Sequence, residues 1–494
     1  MEGGNFHGRD KAVMMGTSSA ENAMGASPIT AELTPPPPVR MTPAGREAAP
    51  ADHGSNRLHR SDRAAHDWYR FVLSFPAHLV RDYLEKLQIH PGQLVLDPFC
   101  GTGTTLVECK KNGIASIGIE ANPLAHFAST VKTDWSTSGR VLLRHAGAIA
   151  DAARRELDEQ GYPDEPAPPL FCGNGVARPS IPLRSLEAEA FALLLHGSIS
   201  PLPLHKTLIL LERIDQHAPP VIGQYCRLAL ARALVEAVGN LHFGPEVGVG
   251  KPKADVAVVG EWWRRVSSMA VDLDELRSQR RVSCRVLQAD ARDAAAVLAP
   301  GSIAAVITSP PYPNEKDYTR TTRLESVILG FIRNKAQLRE LKQSLVRSNT
   351  RNVYQGDDDE RWVTSHKEIR HLADRIEQRR IELNKTSGFE RMYASVTRLY
   401  FGGMAKHLAG LRSVLRPGAR LAYVVGDQAS YLRVLIKTGA ILATIAESLG
   451  YRVTGIDLFR TRLATATREQ LREEVVCLEW PGEARPRRQV GGTG

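Results

Sequence analysis

The chain is expected to fold as an α/β protein, a doubly wound sheet with helices on both faces, interrupted by two largely helical insertions. Three observations predict this. Leu94-Val-Leu96 is an apolar run of strand length that passes through Gly101 and Gly103 into a helical stretch beginning near Thr104. Two more strands are expected, Ala115–Glu120, which ends in a carboxylate, and the apolar run Ala304–Ile307, which has a buried-strand pattern. Residues 396–482 then alternate helix and strand patterns and would complete the sheet.

The first run opens the string Asp97-Pro-Phe-Cys-Gly-Thr-Gly-Thr-Thr105, which reads as strand, tight turn and helix. Gly101 and Gly103 allow a sharp turn and a close ligand approach, and Thr104 or Thr105 is expected to cap the first amides of the helix. The next strand ends in Glu120, where a doubly wound sheet presents an acid to ribose hydroxyls. A glycine turn by itself is often only a turn. The carboxylate at this spacing makes it a nucleoside site.

A second string, Thr308-Ser-Pro-Pro-Tyr312, follows the third expected strand, at the sheet edge where open α/β folds place their ligands. Pro310 and Pro311 have no amide hydrogen and stiffen the turn, so their carbonyls are held as acceptors. An exocyclic amine has two N–H donors. The Ser309 hydroxyl and the Pro310 carbonyl can accept one each, while Tyr312 offers a flat face to a base. The plainer reading is a proline turn with a packed tyrosine, and the nucleoside site upstream counts against it.

These two strings resemble the paired motifs of the S-adenosylmethionine-dependent DNA amino-methyltransferases, and Ser309 makes the second resemble the cytosine-N4 branch more than the adenine-N6 branch, which usually carries Asp or Asn there. The resemblance implies a Rossmann-like methyltransferase sheet and S-adenosyl-L-methionine as cofactor. It assigns cofactor contacts to Asp97, Pro98, Phe99, Gly101, Gly103, Thr104, Thr105 and Glu120, and catalysis to Ser309, Pro310, Pro311 and Tyr312. The segment from His66 to Val80, with Phe75 and Pro76, resembles the one that closes over the methionine end of the cofactor. Gln288-Ala-Asp-Ala291 resembles the motif whose acid, here Asp290, bonds the adenine amino group, with Ala291 beside it. Leu415-Arg-Pro-Gly418 with Leu421–Asp427 resembles a later core strand, and Glu474–Glu479 the final antiparallel strand. The match covers about half of the chain, and the order is that of the group with extra sequence between the two motifs.

The chemistry follows from the residues as well. An amino lone pair on cytosine is delocalised into the ring, so acceptors that pull on its hydrogens make the nitrogen a better nucleophile. A cytosine-C5 reaction would instead need a cysteine nucleophile, typically after a proline, and none of the six cysteines has that setting. Cys100 beside the glycine turn reads as a small buried residue. Tyr312 is expected to receive a base flipped from the duplex. Adenine-N6 methylation and RNA methylation stay open, as does a nucleic-acid-binding module that has lost activity.

Composition agrees with a polyanionic partner, the net charge being +10 over 494 residues. Double-stranded DNA is the expected partner, with a restriction endonuclease as a possible second one; the sequence does not define the oligomeric state. No Cys-x-x-Cys pair occurs and no histidine has ligand spacing, so no metal is expected. Without a visible signal peptide or membrane span, a cytoplasmic, nucleoid-associated enzyme is expected.

Seven segments are expected. Residues 1–60, with Pro35–Pro38, form a disordered tail; 61–140 the cofactor half; 141–280 a helical insertion; 281–320 the catalytic half; 321–395 a second helical insertion; 396–482 the rest of the sheet; and 483–494 a mobile basic tail. The glycine-rich loop at 240–253 offers Lys251 and Lys253 to phosphate. The second insertion is favoured for target contacts because it leaves the catalytic loop directly, through Arg320 and Arg323, and carries Arg347 and Arg351. Its acidic run Asp357–Glu360 argues against a uniformly DNA-facing surface.

Overall fold

The computed structural model describes residues 58–70, 74–165, 181–243, 246–463 and 470–483. All belong to one compact unit, Asp52–Gly494. Apart from 58–60 and 483, both expected tails lie outside the described residues.

Nine strands occur among these residues: β1 (Leu94–Asp97), β2 (Ala115–Glu120), β3 (Leu241–Phe243), β4 (Val247–Val249), β5 (Cys284–Gln288), β6 (Ile303–Thr308), β7 (Leu415–Gly426), β8 (Arg452–Leu463) and β9 (Gln470–Trp480). Seven of them make one sheet in the order β5-β2-β1-β6-β7-β9-β8. The first five are parallel, and β9 runs antiparallel to both β7 and β8. The chain thus winds outward from β1 in one direction and later returns to wind outward from β6 in the other. That reversal between β1 and β6 opens a crevice at their carboxyl ends, where open α/β sheets bind ligands.

Why the strands read as unbroken apolar runs is visible in the packing. Val95, Ala305, Ile307, Ala422, Val424 and Val475 point to one face, against Leu79, Val80, Tyr83 and Leu84 of the helix Ala77–Lys86. Leu96, Val306, Leu421, Tyr423, Val425 and Val476 point to the other, against the helices Tyr393–Leu411 and Thr438–Ser448. β1, β6 and the second half of β7 are covered on both faces, so their side chains are largely apolar throughout.

The first inserted region is largely helical, with Gly139–Glu159, Pro201–His217, Pro220–Ala233 and Val258–Leu276 packing around Leu142, Ile149, Leu210, Leu228 and Trp262. The glycine-rich stretch is not only a loop: β3 and β4 pair there as an antiparallel ribbon. In the second region the helix Lys367–Glu382 buries Ile369, Leu372, Ala373 and Ile376 in the same core as the helix Tyr393–Leu411. No helix among the described residues is long and apolar enough to cross a membrane.

Candidate active site

Asp97 ends β1 and Thr308 ends β6, and the two are joined by a hydrogen bond from Thr308 Oγ1 to Asp97 Oδ1 of 2.6 Å. Oδ1 also accepts from the Phe99 amide at 3.1 Å, and burial lifts the Asp97 carboxyl to about 6. This buried bond fixes the two loops relative to each other. Asp97 lies beneath the crevice and does not line it.

Gly103 takes φ +82° and serves as the N-cap of the helix Thr104–Lys111, with no side-chain cap. The expected threonine cap does not form. Thr105 turns inward instead, and its hydroxyl donates to the Ile307 carbonyl at 3.2 Å. A Cβ at position 103 would come within 2.9 Å of Ser129 Cβ, so the turn accepts only glycine in this geometry. Like Asp97, Gly103 and Thr105 support the pocket from behind.

The crevice itself is a cleft of about 610 Å³, a size suited to a nucleoside cofactor together with part of a substrate. Phe75, Pro76, Pro98, Phe99, Gly101, Thr104, Glu120, Asp290 and Ala291 line it alongside Ser309, Pro310, Pro311 and Tyr312. Sequence positions more than two hundred residues apart therefore share one cavity.

Each wall has an identifiable support. Both oxygens of Glu120 accept backbone amides, from Gly101 at 2.8 Å and from Asn122 at 2.7 Å. Its carboxyl is nonetheless pushed up to about 7, because burial outweighs those bonds. Phe99 meets His407 edge to face at 4.9 Å between ring centroids. His407 is buried and held near 4 by desolvation; its Nδ1 donates to the Ala291 carbonyl, and Nε2 accepts from the Tyr423 hydroxyl, both at 2.8 Å. Asp290 is gripped by Arg292, whose Nε lies 3.0 Å from each carboxylate oxygen, while Nη1 of the same arginine reaches Asp359 at 2.5 Å.

At the other wall the Ser309 hydroxyl donates to the Val424 carbonyl at 3.1 Å, so that its oxygen serves as an acceptor. Tyr312 packs against Gly426, where a Cβ would sit 3.1 Å from Tyr312 Cε2. The ring is thus fixed as a wall of the cleft.

None of the six expected nucleic-acid residues lines this cavity. Lys251 and Arg351 are exposed, the latter 3.8 Å from Glu246. Lys253, Arg347 and Arg323 are engaged within the fold. Lys253 Nζ donates to the Ala237 and Gly239 carbonyls at 2.5 and 2.7 Å. Arg347 is 4% exposed and pairs with Asp357 through Nη2 at 2.8 Å. Arg323 bonds the Thr319 carbonyl at 3.1 Å, and Arg320 is half-buried.

Several lining residues escaped sequence reasoning. Asn314, Glu315 and Lys316 follow Tyr312 directly, and Asn122 follows Glu120 by two, so extending each motif along the chain would have reached them. Arg460, Arg462 and Glu473 come from β8 and the antiparallel β9. Nothing local in the sequence marks them. Among the described residues no cluster of metal-ligating side chains occurs.

A parallel sheet with one antiparallel strand thus brings the glycine turn after β1 and the Ser-Pro-Pro-Tyr loop after β6 to the same cleft. Residues 52–129 match the family profile described as DNA methylase. The chain is similar to type II methyltransferase M.BsoBI of Geobacillus stearothermophilus, at 24% identity over 85% of this chain and 86% of the relative. Type II methyltransferase M.AvaI of Anabaena variabilis is 25% identical over 79% of each chain. A shorter stretch of 51 residues is 43% identical to type II methyltransferase M.MjaII of Methanocaldococcus jannaschii, covering 10% of each.

Proposed function

We propose that this protein transfers the methyl group of S-adenosyl-L-methionine to the N4 amino group of cytosine in duplex DNA. The observation that carries the reading is the position of Ser309, in one cleft with Glu120 and the glycine turn, with its hydroxyl proton committed to Val424. S-adenosylmethionine, when bound, supplies a methyl group on a positively charged sulfur. Glu120, Phe99, Gly101, Thr104, Asp290, Ala291, Phe75 and Pro76 would hold it, because they offer two carboxylates, an aromatic face and an uncapped helix start on one side of the cleft.

On the opposite side Ser309 Oγ and the Pro310 carbonyl accept the two N–H bonds of the target amine. That pull concentrates the lone pair on nitrogen, and its value grows as the nitrogen becomes cationic. Tyr312 holds the plane of the extruded base, which sets the direction of approach. The proton lost by the methylated amine is the one held at Ser309 Oγ or at the Pro310 carbonyl, and it passes to solvent in the cleft. The serine at 309 supports cytosine over adenine. The likeness to type II methyltransferases supports a modification role beside a restriction endonuclease on chromosomal DNA in the cytoplasm.

Transfer of a labelled methyl group from S-adenosylmethionine into duplex DNA tests the substrate. Label in duplex DNA and none in RNA is the expected result; label in RNA alone would overturn the reading.

A pH dependence follows from Glu120. Ribose hydroxyls donate more strongly to a carboxylate than to a carboxyl, and the ligand-free group protonates at about 7. Cofactor affinity is therefore expected to rise with pH up to about 7 and to fall by up to about tenfold per pH unit below it. Glu120→Gln should flatten that profile in a calorimetric titration. The shift has the opposite sign for the ligand-free fold: relative to an ordinary value of 4.5, this group's contribution to stability declines as pH rises from about 4.5 to about 7.

A further inference from the structure

The charged side chains that line the cleft are nearly all matched. Glu120 holds two amides, Asp290 holds Arg292, and Glu315 accepts from Thr350 Oγ1 at 2.9 Å. Glu473 lies 2.6 Å from Arg460 and 3.4 Å from Arg462, and Glu246 pairs with Arg351. Among the described residues, Lys316 is the charged group lining the cleft whose head group has no partner.

Its backbone, by contrast, is firmly held. The Lys316 amide donates to Asn314 Oδ1 at 2.9 Å, and its carbonyl accepts from Asn349 Nδ2 at 3.1 Å. The neighbouring Asn314 amide bonds the Ser348 carbonyl at 2.9 Å. A fixed backbone thus presents an unmatched ammonium four residues beyond Tyr312. Partial burial pushes that ammonium down, and Arg462 pushes it further, while Glu246 and Glu473 act the other way without pairing with it. Lys316 and Tyr312 belong to the same loop after β6, and both line the cleft. An unpaired, partly desolvated cation in such a place calls for an oxyanion.

We propose that Lys316 binds the backbone phosphate of the extruded target nucleotide, and so adds a substrate-binding contact to the Ser309 site. The inference rests on the methyltransferase reading. Duplex DNA carries the phosphate into the cleft with the base, and the lysine neutralises it and holds the sugar while Tyr312 holds the ring. The other oxyanion available here is the carboxylate of the cofactor itself, and the two sources give different signatures.

The test compares wild type, Lys316→Met and Lys316→Arg in KM for duplex DNA between about 50 and 200 mM salt, with cofactor affinity measured separately by calorimetry. Each phosphate contact contributes about 0.9 to the logarithmic salt slope for B-DNA. Lys316→Met should lower the slope by about that amount and raise KM, while Lys316→Arg keeps the slope and cofactor affinity stays unchanged in both. A wild-type slope in Lys316→Met, or weakened cofactor binding with an unchanged slope, would overturn the proposal. Should Lys316→Met fold poorly, Lys316→Gln carries the same comparison. Failure of the wild type to methylate DNA would instead count against the enzymatic reading itself.

Discussion

Gly103→Val is expected to weaken cofactor binding severely. Position 103 sits at φ +82° and faces Ser129, whose Cβ would lie 2.9 Å from the new Cβ. Left-handed backbone costs an L-residue about 1–2 kcal/mol. Overpacking of a filled site costs about 1–3 kcal/mol more. Opening the turn relieves both, and opening it displaces Gly101, whose amide holds Glu120. The combined cost corresponds to a loss of affinity of about thirtyfold to several thousandfold. Gly113→Val is the informative control: Gly113 has φ +73°, so the backbone strain is similar, but nothing lies within 4 Å of its Cβ position. That variant should melt at a lower temperature and still bind. Calorimetric titration of both, with thermal unfolding alongside, separates strain from loss of the site. An unchanged dissociation constant in Gly103→Val would show that the glycine turn does not shape the cofactor pocket.

Ser309→Ala is expected to lower turnover by about ten- to a hundredfold with little change in cofactor affinity. The hydroxyl does not reach the Glu120 side of the cleft, and its bond to Val424 already fixes its orientation. What the alanine removes is an acceptor that works hardest when the amine becomes cationic. A hydrogen bond to a charged group is worth about 1.5–3 kcal/mol, and each 1.36 kcal/mol on the barrier is about tenfold in rate. Single-turnover methyl transfer at saturating cofactor measures this directly. Wild-type turnover in Ser309→Ala would remove the hydroxyl from the mechanism.

Much of this site was legible in the chain because its parts are local. The turn Asp97–Thr105 and the loop Thr308–Tyr312 each combine a strand end with residues that have narrow backbone preferences, and both strands appear where their apolar runs lie. Even the antiparallel strand expected near Glu474–Glu479 is there, within β9. The helix cap was not legible: threonines at its start suggested a side-chain cap, whereas packing against Ser129 put glycine at the cap and sent Thr105 to Ile307. Arginine function was not legible either. Arg347 and Arg292 look alike in sequence to any surface arginine, yet each is buried in a bidentate pair with a carboxylate. Composition records a charge, and only the fold shows whether that charge is already matched.

The most direct measurement is the identity of the methylated base. Duplex DNA incubated with the protein and S-adenosylmethionine, digested to nucleosides and resolved by mass spectrometry, is expected to yield N4-methylcytosine. N6-methyladenine would contradict the assignment of the base to Ser309 while leaving the two acceptors at the amine in place, and 5-methylcytosine would contradict the amino-transfer mechanism altogether.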